Sequence, residues 1–151
     1  METKQTQPID VIAINKKATL KTIFADIGNL PEQLEADVKA QGLETDGPMI
    51  FVYRGCSGDM ESPFDLEITQ PVKSTSAYRG NFQTSTLPPF KCVERTYKGN
   101  IMEIGPKGYE PFITDLENQG LTMTDQAREI YTLYEGPESE NNVTELQIGV
   151  K

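Results

Sequence analysis

The side chains that can carry chemistry in this sequence are carboxylates, phenols and two thiols, because it contains no histidine. Without imidazole, the Ser-His-Asp and Cys-His nucleophile systems are excluded, together with most zinc, copper and haem sites. The loop with Cys56, Asp59 and Glu61 lacks the spacing of a calcium loop or a zinc knuckle, and we interpret it as a solvated hairpin tip. The glycines between Gly99 and Gly108 follow neither the Walker nor the dinucleotide-binding arrangement. We therefore predict no metal site and no cofactor.

The net charge of the chain restricts the kinds of partner that it can bind. The 151 residues include 14 basic and 23 acidic side chains, a formal charge of −9. Phosphate backbones and anionic lipids would be repelled, so we expect no direct nucleic-acid binding and no membrane binding, and we expect cationic partners. Two cysteines are too few for a disulfide scaffold, and the polar run from Met1 to Gln7 is unlike a signal peptide. These features predict a cytoplasmic protein with reduced thiols.

The first part of the chain predicts strands around one helix. Residues 1–8 are expected to be a disordered tail, and the apolar run from Ile9 to Ala25 predicts two short strands or one bent strand. A helix should begin at Pro31 and end before Gly42, with Leu34 and Val38 on its apolar face. Two further strands are predicted, Met49 to Arg54 and Phe64 to Val72.

The rest of the chain predicts the same order again. After a linker over residues 73–81, the predicted elements are strands Phe82–Thr86 and Lys91–Tyr97, a helix from about Tyr109 to Gly120, and strands Arg128–Tyr134 and Thr144–Val150.

Short sequence matches indicate that the two parts are copies. Gln41-Gly42-Leu43 recurs as Gln119-Gly120-Leu121 after 78 residues, and Asp65-Leu66-Glu67-Ile68 recurs as Glu145-Leu146-Gln147-Ile148 after 80. We therefore predict one α+β domain over residues 1–151, a tandem βαββ repeat with pseudo-two-fold symmetry and a mostly antiparallel sheet. Its halves are residues 9–72 and 82–151. A ligand groove is expected at the seam between them, because clefts between like units are concave and apolar.

Four segments, in order, resemble the GyrI-like (gyrase-inhibitor-like) family, whose fold is shared by effector-binding domains of multidrug-sensing MerR- and AraC-class regulators. They are Tyr97-Lys98-Gly99, Asp115 to Gly120, Arg128 to Tyr131 and Thr144 to Val150. The resemblance implies a pair of βαββ units, lipophilic cations as ligands, and a counter-ion glutamate on the penultimate strand, which by position is Glu129. The chain departs from the family pattern at the entrance to the second helix, which lacks Gly-Pro-Tyr, and at Gln147, where an aromatic residue is common.

Aromatic rings would complete such a pocket, since ring faces attract cations. The candidates are Phe24, Phe51, Tyr53, Tyr97, Tyr109, Phe112, Tyr131 and Tyr134. We favour Tyr53, Tyr109 and Tyr131, whose hydroxyls suit a dry core poorly, and then Phe112. Residue type alone leaves other interpretations open, in which Glu129 is solvated or paired with Arg128 and each ring is ordinary core.

Three functions remain. The first is binding of an amphipathic, cationic small molecule, as a sensor or a sequestering protein, with a separate partner if it regulates transcription. The second is hydrolysis of electrophilic small molecules with Glu129 as general base, which ranks lower because no second catalytic group is marked by spacing. The third is an acidic module that binds and masks a basic protein partner, which the charge of −9 favours.

Overall fold

A computed structural model describes residues 1–151 as a single eight-stranded antiparallel sheet with helices on one face. The strands are β1 Lys4–Gln5, β2 Ile9–Ala18, β3 Ile50–Arg54, β4 Phe64–Pro71, β5 Gln83–Leu87, β6 Lys91–Lys98, β7 Met123–Leu133 and β8 Val143–Val150. The helices are α1 Ile23–Ile27, α2 Leu30–Ala40 and α3 Glu110–Asn118. A 3₁₀ turn, Ile101–Glu103, and a π-helical segment, Ile104–Tyr109, precede α3.

The strand order β1-β6-β8-β7-β3-β4-β2-β5 confirms the predicted tandem βαββ fold. In the first half β2 pairs with β4 and β4 with β3; in the second half β6 pairs with β8 and β8 with β7. The halves meet where β3 pairs with β7, and Val52 lies opposite Arg128 at the centre of this seam. The pseudo-two-fold axis therefore passes through the β3–β7 pair.

Each half buries its helix against the same face of the sheet. Leu34 and Val38 of α2 lie in one core cluster, and Phe112 and Leu116 of α3 lie in the other. These pairs are the positions that the 78-residue repeat superposes, which explains their shared apolar character. A smaller cluster around Val52 covers the opposite face. Phe51 and Glu129 are cross-strand neighbours on the helix-covered face, at the seam between the halves.

Three predictions of local structure were wrong. Lys4 and Gln5, placed in a disordered tail, pair with Cys92 and Lys91 because the free edge of β6 offers unpaired backbone groups. Residues 23–25, predicted as strand, begin α1, where the Thr22 hydroxyl bonds the Asp26 carboxylate at 2.6 Å and favours a helical turn.

The third error concerns β5, which we assigned to the second half. It pairs instead with β2, at the outer edge of the first half. The linker packs there as well, since Tyr78 is buried and its hydroxyl donates to Asp37 of α2. Sequence pattern identifies a strand but not the sheet edge that it joins.

No helix has the length and apolar character that a bilayer crossing requires.

Candidate functional site

Glu129 lies in the middle of β7, opposite Phe51 of β3 and Leu146 of β8. Its side chain is on the helix-covered face of the sheet, at the seam between the halves, and the residue is only 3% exposed. Arg128, the preceding residue, projects to the opposite face by strand alternation. There its guanidinium donates to the Pro88 carbonyl at 3.0 Å and lies 4.5 Å from the centre of the Phe90 ring. Glu129 is therefore neither solvated nor paired with Arg128.

Three tyrosine hydroxyls surround the Glu129 carboxylate. Tyr53 of β3 donates to Oε1 at 2.9 Å, and Tyr131, two residues along β7 and so on the same face, donates to Oε1 at 2.5 Å. Tyr109, the last residue of the π-helical segment, donates to Oε2 at 2.6 Å. We call Glu129 and these three residues the tyrosine cluster. It joins groups from both halves and from the segment that leads into α3.

Aromatic rings enclose the tyrosine cluster. The Phe51 and Tyr131 rings meet edge to face with centres 4.7 Å apart, and Tyr53 stacks on Phe64 at 5.8 Å. Tyr131 also contacts Tyr134, at 6.2 Å between ring centres, and Tyr134 is half exposed. Tyr53 is buried, whereas Tyr109 and Tyr131 are partly exposed. Tyr109 and Tyr131 are therefore the two hydrogen-bond donors of Glu129 that are partly exposed.

Burial dominates the electrostatics of the tyrosine cluster. Loss of hydration raises the pKa of the Glu129 carboxyl, and the three phenol hydrogen bonds oppose this shift only in part. Burial, followed by the adjacent Glu129 charge, raises the pKa of Tyr53, Tyr109 and Tyr131 well above 10.0, so all three remain hydrogen-bond donors. None of the hydrogen bonds or salt bridges of Glu129 comes from a lysine or an arginine. The carboxylate is buried with donors but without a counter-charge.

No protein-family model matches the sequence, and no curated protein matches it. Among solved structures, the EcmrR C-terminal domain has a TM-score of 0.76 at 21% identity, covering 99% of this chain and 96% of that one. SAV2435 bound to tetraphenylphosphonium has a TM-score of 0.68 at 13% identity, covering 99% and 93%. The chain has the GyrI-like fold.

Two further solved structures are similar to this chain. In the structure of the EcmrR–DNA complex in EcmrR-RPo, the match has a TM-score of 0.77 at 21% identity, and this chain spans 56% of that longer chain. A hydrolase encoded by lin2189 from Listeria innocua has a TM-score of 0.59 at 12% identity, covering 99% of this chain and 92% of that one. At identities this low, the structural similarity shows only the fold. The function has to be inferred from the residues of the candidate site.

The predicted site residues do not all lie together in this GyrI-like fold. The three favoured tyrosines bond Glu129, and Phe51 contacts Tyr131. Phe112 lies on α3 and is fully buried, with the Arg95 guanidinium 4.9 Å from its ring centre. Phe24 lies on α1 and is 49% exposed, so it takes no part in the tyrosine cluster.

The sequence interpretation missed several neighbours of the tyrosine cluster. Phe64 stacks on Tyr53, and Leu146 lies directly opposite Glu129. Cys56, assigned to a solvated hairpin tip, packs partly buried against the core of the first half. Strand register decides these contacts, and a single sequence does not fix the register of distant strands.

Two surface cavities lie away from the tyrosine cluster. One, of about 350 Å³, is on the opposite face of the sheet and is lined by residues that include Asp10, Asp46 and Ile130. The other, of about 320 Å³, lies beside α2 and is lined by Val38 and Leu43 among others. Neither includes Glu129, so the groove predicted at the seam does not expose this carboxylate here.

Proposed function

We propose that this chain binds a lipophilic organic cation at the seam, with Glu129 as its counter-ion. One observation carries the proposal: a carboxylate that is 3% exposed, accepts hydrogen bonds from three phenols, and has no lysine or arginine bonded to it. Structural carboxylates in protein interiors are normally paired. A buried anion without a counter-charge is a feature that a cationic ligand would complete.

The energetics favour a cation that is also lipophilic. A buried, uncompensated carboxylate costs several kcal/mol of stability, and a cation placed against it offsets much of that cost. The enclosing rings of Phe51, Tyr53 and Tyr131 add attraction of roughly 0.5–2 kcal/mol each for a cation over a ring face. Burial of the apolar skeleton of the ligand adds about 25 cal/mol per Å². Small, strongly hydrated inorganic cations gain only the first of these contributions.

Binding requires that the tyrosine cluster open. Glu129 is 3% exposed and bonded to three phenols, of which Tyr53 is buried and Tyr109 and Tyr131 are partly exposed. Tyr109 ends a six-residue π-helical segment, an uncommon conformation that frequently marks functional sites. We infer that displacement of Tyr109 or Tyr131 creates the pocket, and that the cation replaces the lost phenol donor.

Two structural neighbours support this proposal, one by its bound ligand and the other by the longer protein to which it belongs. SAV2435 was solved with tetraphenylphosphonium, a lipophilic cation, and the EcmrR domain is part of a longer protein that was solved with DNA. By analogy of fold, we propose a role as sensor or sequestering domain. A regulatory role would need a DNA-binding partner, because the charge of −9 opposes direct contact with DNA.

The test compares ions of the same shape and opposite charge. Thermal-shift and calorimetric titrations would use tetraphenylphosphonium, tetraphenylborate and neutral triphenylphosphine oxide, on the wild type, Glu129→Gln and Glu67→Gln. Glu67 is a matched control, since it is equally buried but pairs with Arg54 on the opposite face. We expect the cation to raise the melting temperature of the wild type and Glu67→Gln, and the cation preference to vanish in Glu129→Gln. Equal responses of the wild type and Glu129→Gln to the three probes would contradict the proposal.

Hydrolysis of an electrophilic small molecule is the second candidate. A buried carboxyl with a raised pKa is suited to general-base catalysis, and a phenol such as Tyr109 can donate a proton to a leaving oxygen. One structural neighbour is named as a hydrolase. Turnover of styrene oxide to its diol, lost in Glu129→Gln and in Tyr109→Phe, would support this function over binding alone.

A further inference from the structure

Thr144 is a fully buried residue of β8 whose hydroxyl oxygen has no hydrogen-bond partner. Such a group loses its hydration without compensation, so it is rare in folded proteins. Thr69 of β4 shows the usual arrangement: it is equally buried, and its hydroxyl donates to the Ile50 carbonyl at 2.7 Å. The orphan hydroxyl of Thr144 therefore requires an explanation.

The position of Thr144 connects it to the tyrosine cluster. It lies directly opposite Tyr131 of β7 and Tyr97 of β6, on the helix-covered face of the sheet. Glu129 is opposite Leu146, the next residue of β8 on that face, so Thr144 and Glu129 are diagonal neighbours. Residues in such an arrangement are roughly 7–8 Å apart, and their Cβ atoms are somewhat closer. One ligand of drug-like size can reach both side chains.

The groups next to Thr144 have other partners. The Tyr131 hydroxyl donates to Glu129, and the Tyr97 hydroxyl donates to the Asn100 carbonyl at 2.8 Å. The π-helical segment covers this part of the sheet, since a Cβ atom added to Gly108 would lie 3.1 Å from Tyr97 and 3.3 Å from Leu146. A movement of that segment and of Tyr131 would uncover Thr144 together with Glu129.

We propose that Thr144 is a specificity-determining residue of the cation site. Its hydroxyl forms a hydrogen bond with a polar group of the ligand, while the positive charge of the same ligand lies against Glu129. This inference rests on the proposed function and adds to it a ligand class: lipophilic cations that also carry a hydroxyl, carbonyl or amine group.

The test uses cations that differ by one hydroxyl group. Affinities of tetraphenylphosphonium and of the three isomers of (hydroxyphenyl)triphenylphosphonium would be measured by calorimetry on the wild type, Thr144→Val and Thr69→Val. We expect at least one isomer to bind the wild type about 2- to 10-fold more tightly than tetraphenylphosphonium, the value of one net hydrogen bond. Thr144→Val should abolish this ratio, because the hydroxylated isomers lose their hydrogen-bond partner. Thr69→Val should keep the ratio.

Stability without ligand gives an independent readout. Valine removes the orphan hydroxyl at nearly constant shape, so Thr144→Val should raise the melting temperature by about 2–12 °C, while Thr69→Val should lower it. A lower melting temperature for Thr144→Val would show that the hydroxyl is satisfied in solution and would overturn the inference. An unchanged ratio in Thr144→Val would overturn it too, with the cation site left intact. If no cation binds the wild type, the proposed function fails and this inference fails with it.

Discussion

Replacing Tyr131 with phenylalanine removes one of the three donors to the buried Glu129 carboxylate and leaves the ring in place. The hydrogen bond that is lost measures 2.5 Å and has a charged acceptor. Such bonds contribute about 1.5–3 kcal/mol, and Tyr53 and Tyr109 would still hold the carboxylate. At pH 8 we expect Tyr131→Phe to lose that amount of stability. For a chain of this length, the loss corresponds to a fall in melting temperature of about 3–12 °C.

The loss should depend on pH with a definite sign. The pKa of Glu129 is raised in the folded protein, and removal of a donor to the charged form raises it further. Once the carboxyl is protonated at low pH, only a neutral hydrogen bond is missing, worth about 0.5–1.5 kcal/mol. The stability gap between the wild type and Tyr131→Phe should therefore widen as pH rises from about 4 to 8.

The assay is urea denaturation across that pH range, with a double-mutant cycle that adds Glu129→Gln. Tyr134→Phe is the control, because the Tyr134 side chain is half exposed and bonds no carboxylate. We expect a change below about 0.5 kcal/mol for the control. Additive effects of Tyr131→Phe and Glu129→Gln, or a stability gap that does not change with pH, would refute the claim that this phenol stabilises a buried charge.

Two further predictions concern the charge and the repeat. Because the folded pKa of Glu129 is raised, its ionisation costs stability as pH rises through that pKa, so Glu129→Gln should become more stable relative to the wild type between low and neutral pH; urea titrations would show this, and a constant difference would contradict it. Leu34→Ala and Phe112→Ala remove equivalent, fully buried side chains from the two halves and should cost about 2–5 kcal/mol each. Calorimetric melting would test this, and a loss below 1 kcal/mol in one of the halves would argue against their equivalence.

Repeated features of the sequence predicted most of the fold. Helix-stop signals at Gly42 and Gly120, and the matched strands ending in Ile68 and Ile148, predicted a tandem βαββ fold, and the strand order confirms that fold. Positions with weak local signals were harder. Nothing in Lys4–Gln5 indicates a strand, because its pairing comes from the free edge of β6 rather than from its own side chains.

The sequence predicted which residues form the candidate site, but it did not predict how their side chains contact one another. The family resemblance pointed to Glu129, and tyrosine chemistry pointed to the three residues that bond it. Their meeting depends on the register of β3 against β7 and on the π-helical segment that carries Tyr109. Neither the register nor the π-helix leaves a periodic signal in the sequence. The hydrogen bonds of the tyrosine cluster could therefore not be predicted from the sequence.

The most direct test of the account is the pH titration of the Glu129 side-chain carboxyl by ¹³C NMR, with and without tetraphenylphosphonium. The signal is assigned by its absence in Glu129→Gln. We expect a midpoint above 4.5 in the free protein and a shift to lower pH when the cation binds, since a neighbouring positive charge favours the carboxylate. A cation that binds without moving this midpoint would contradict the assignment of Glu129 as the counter-ion.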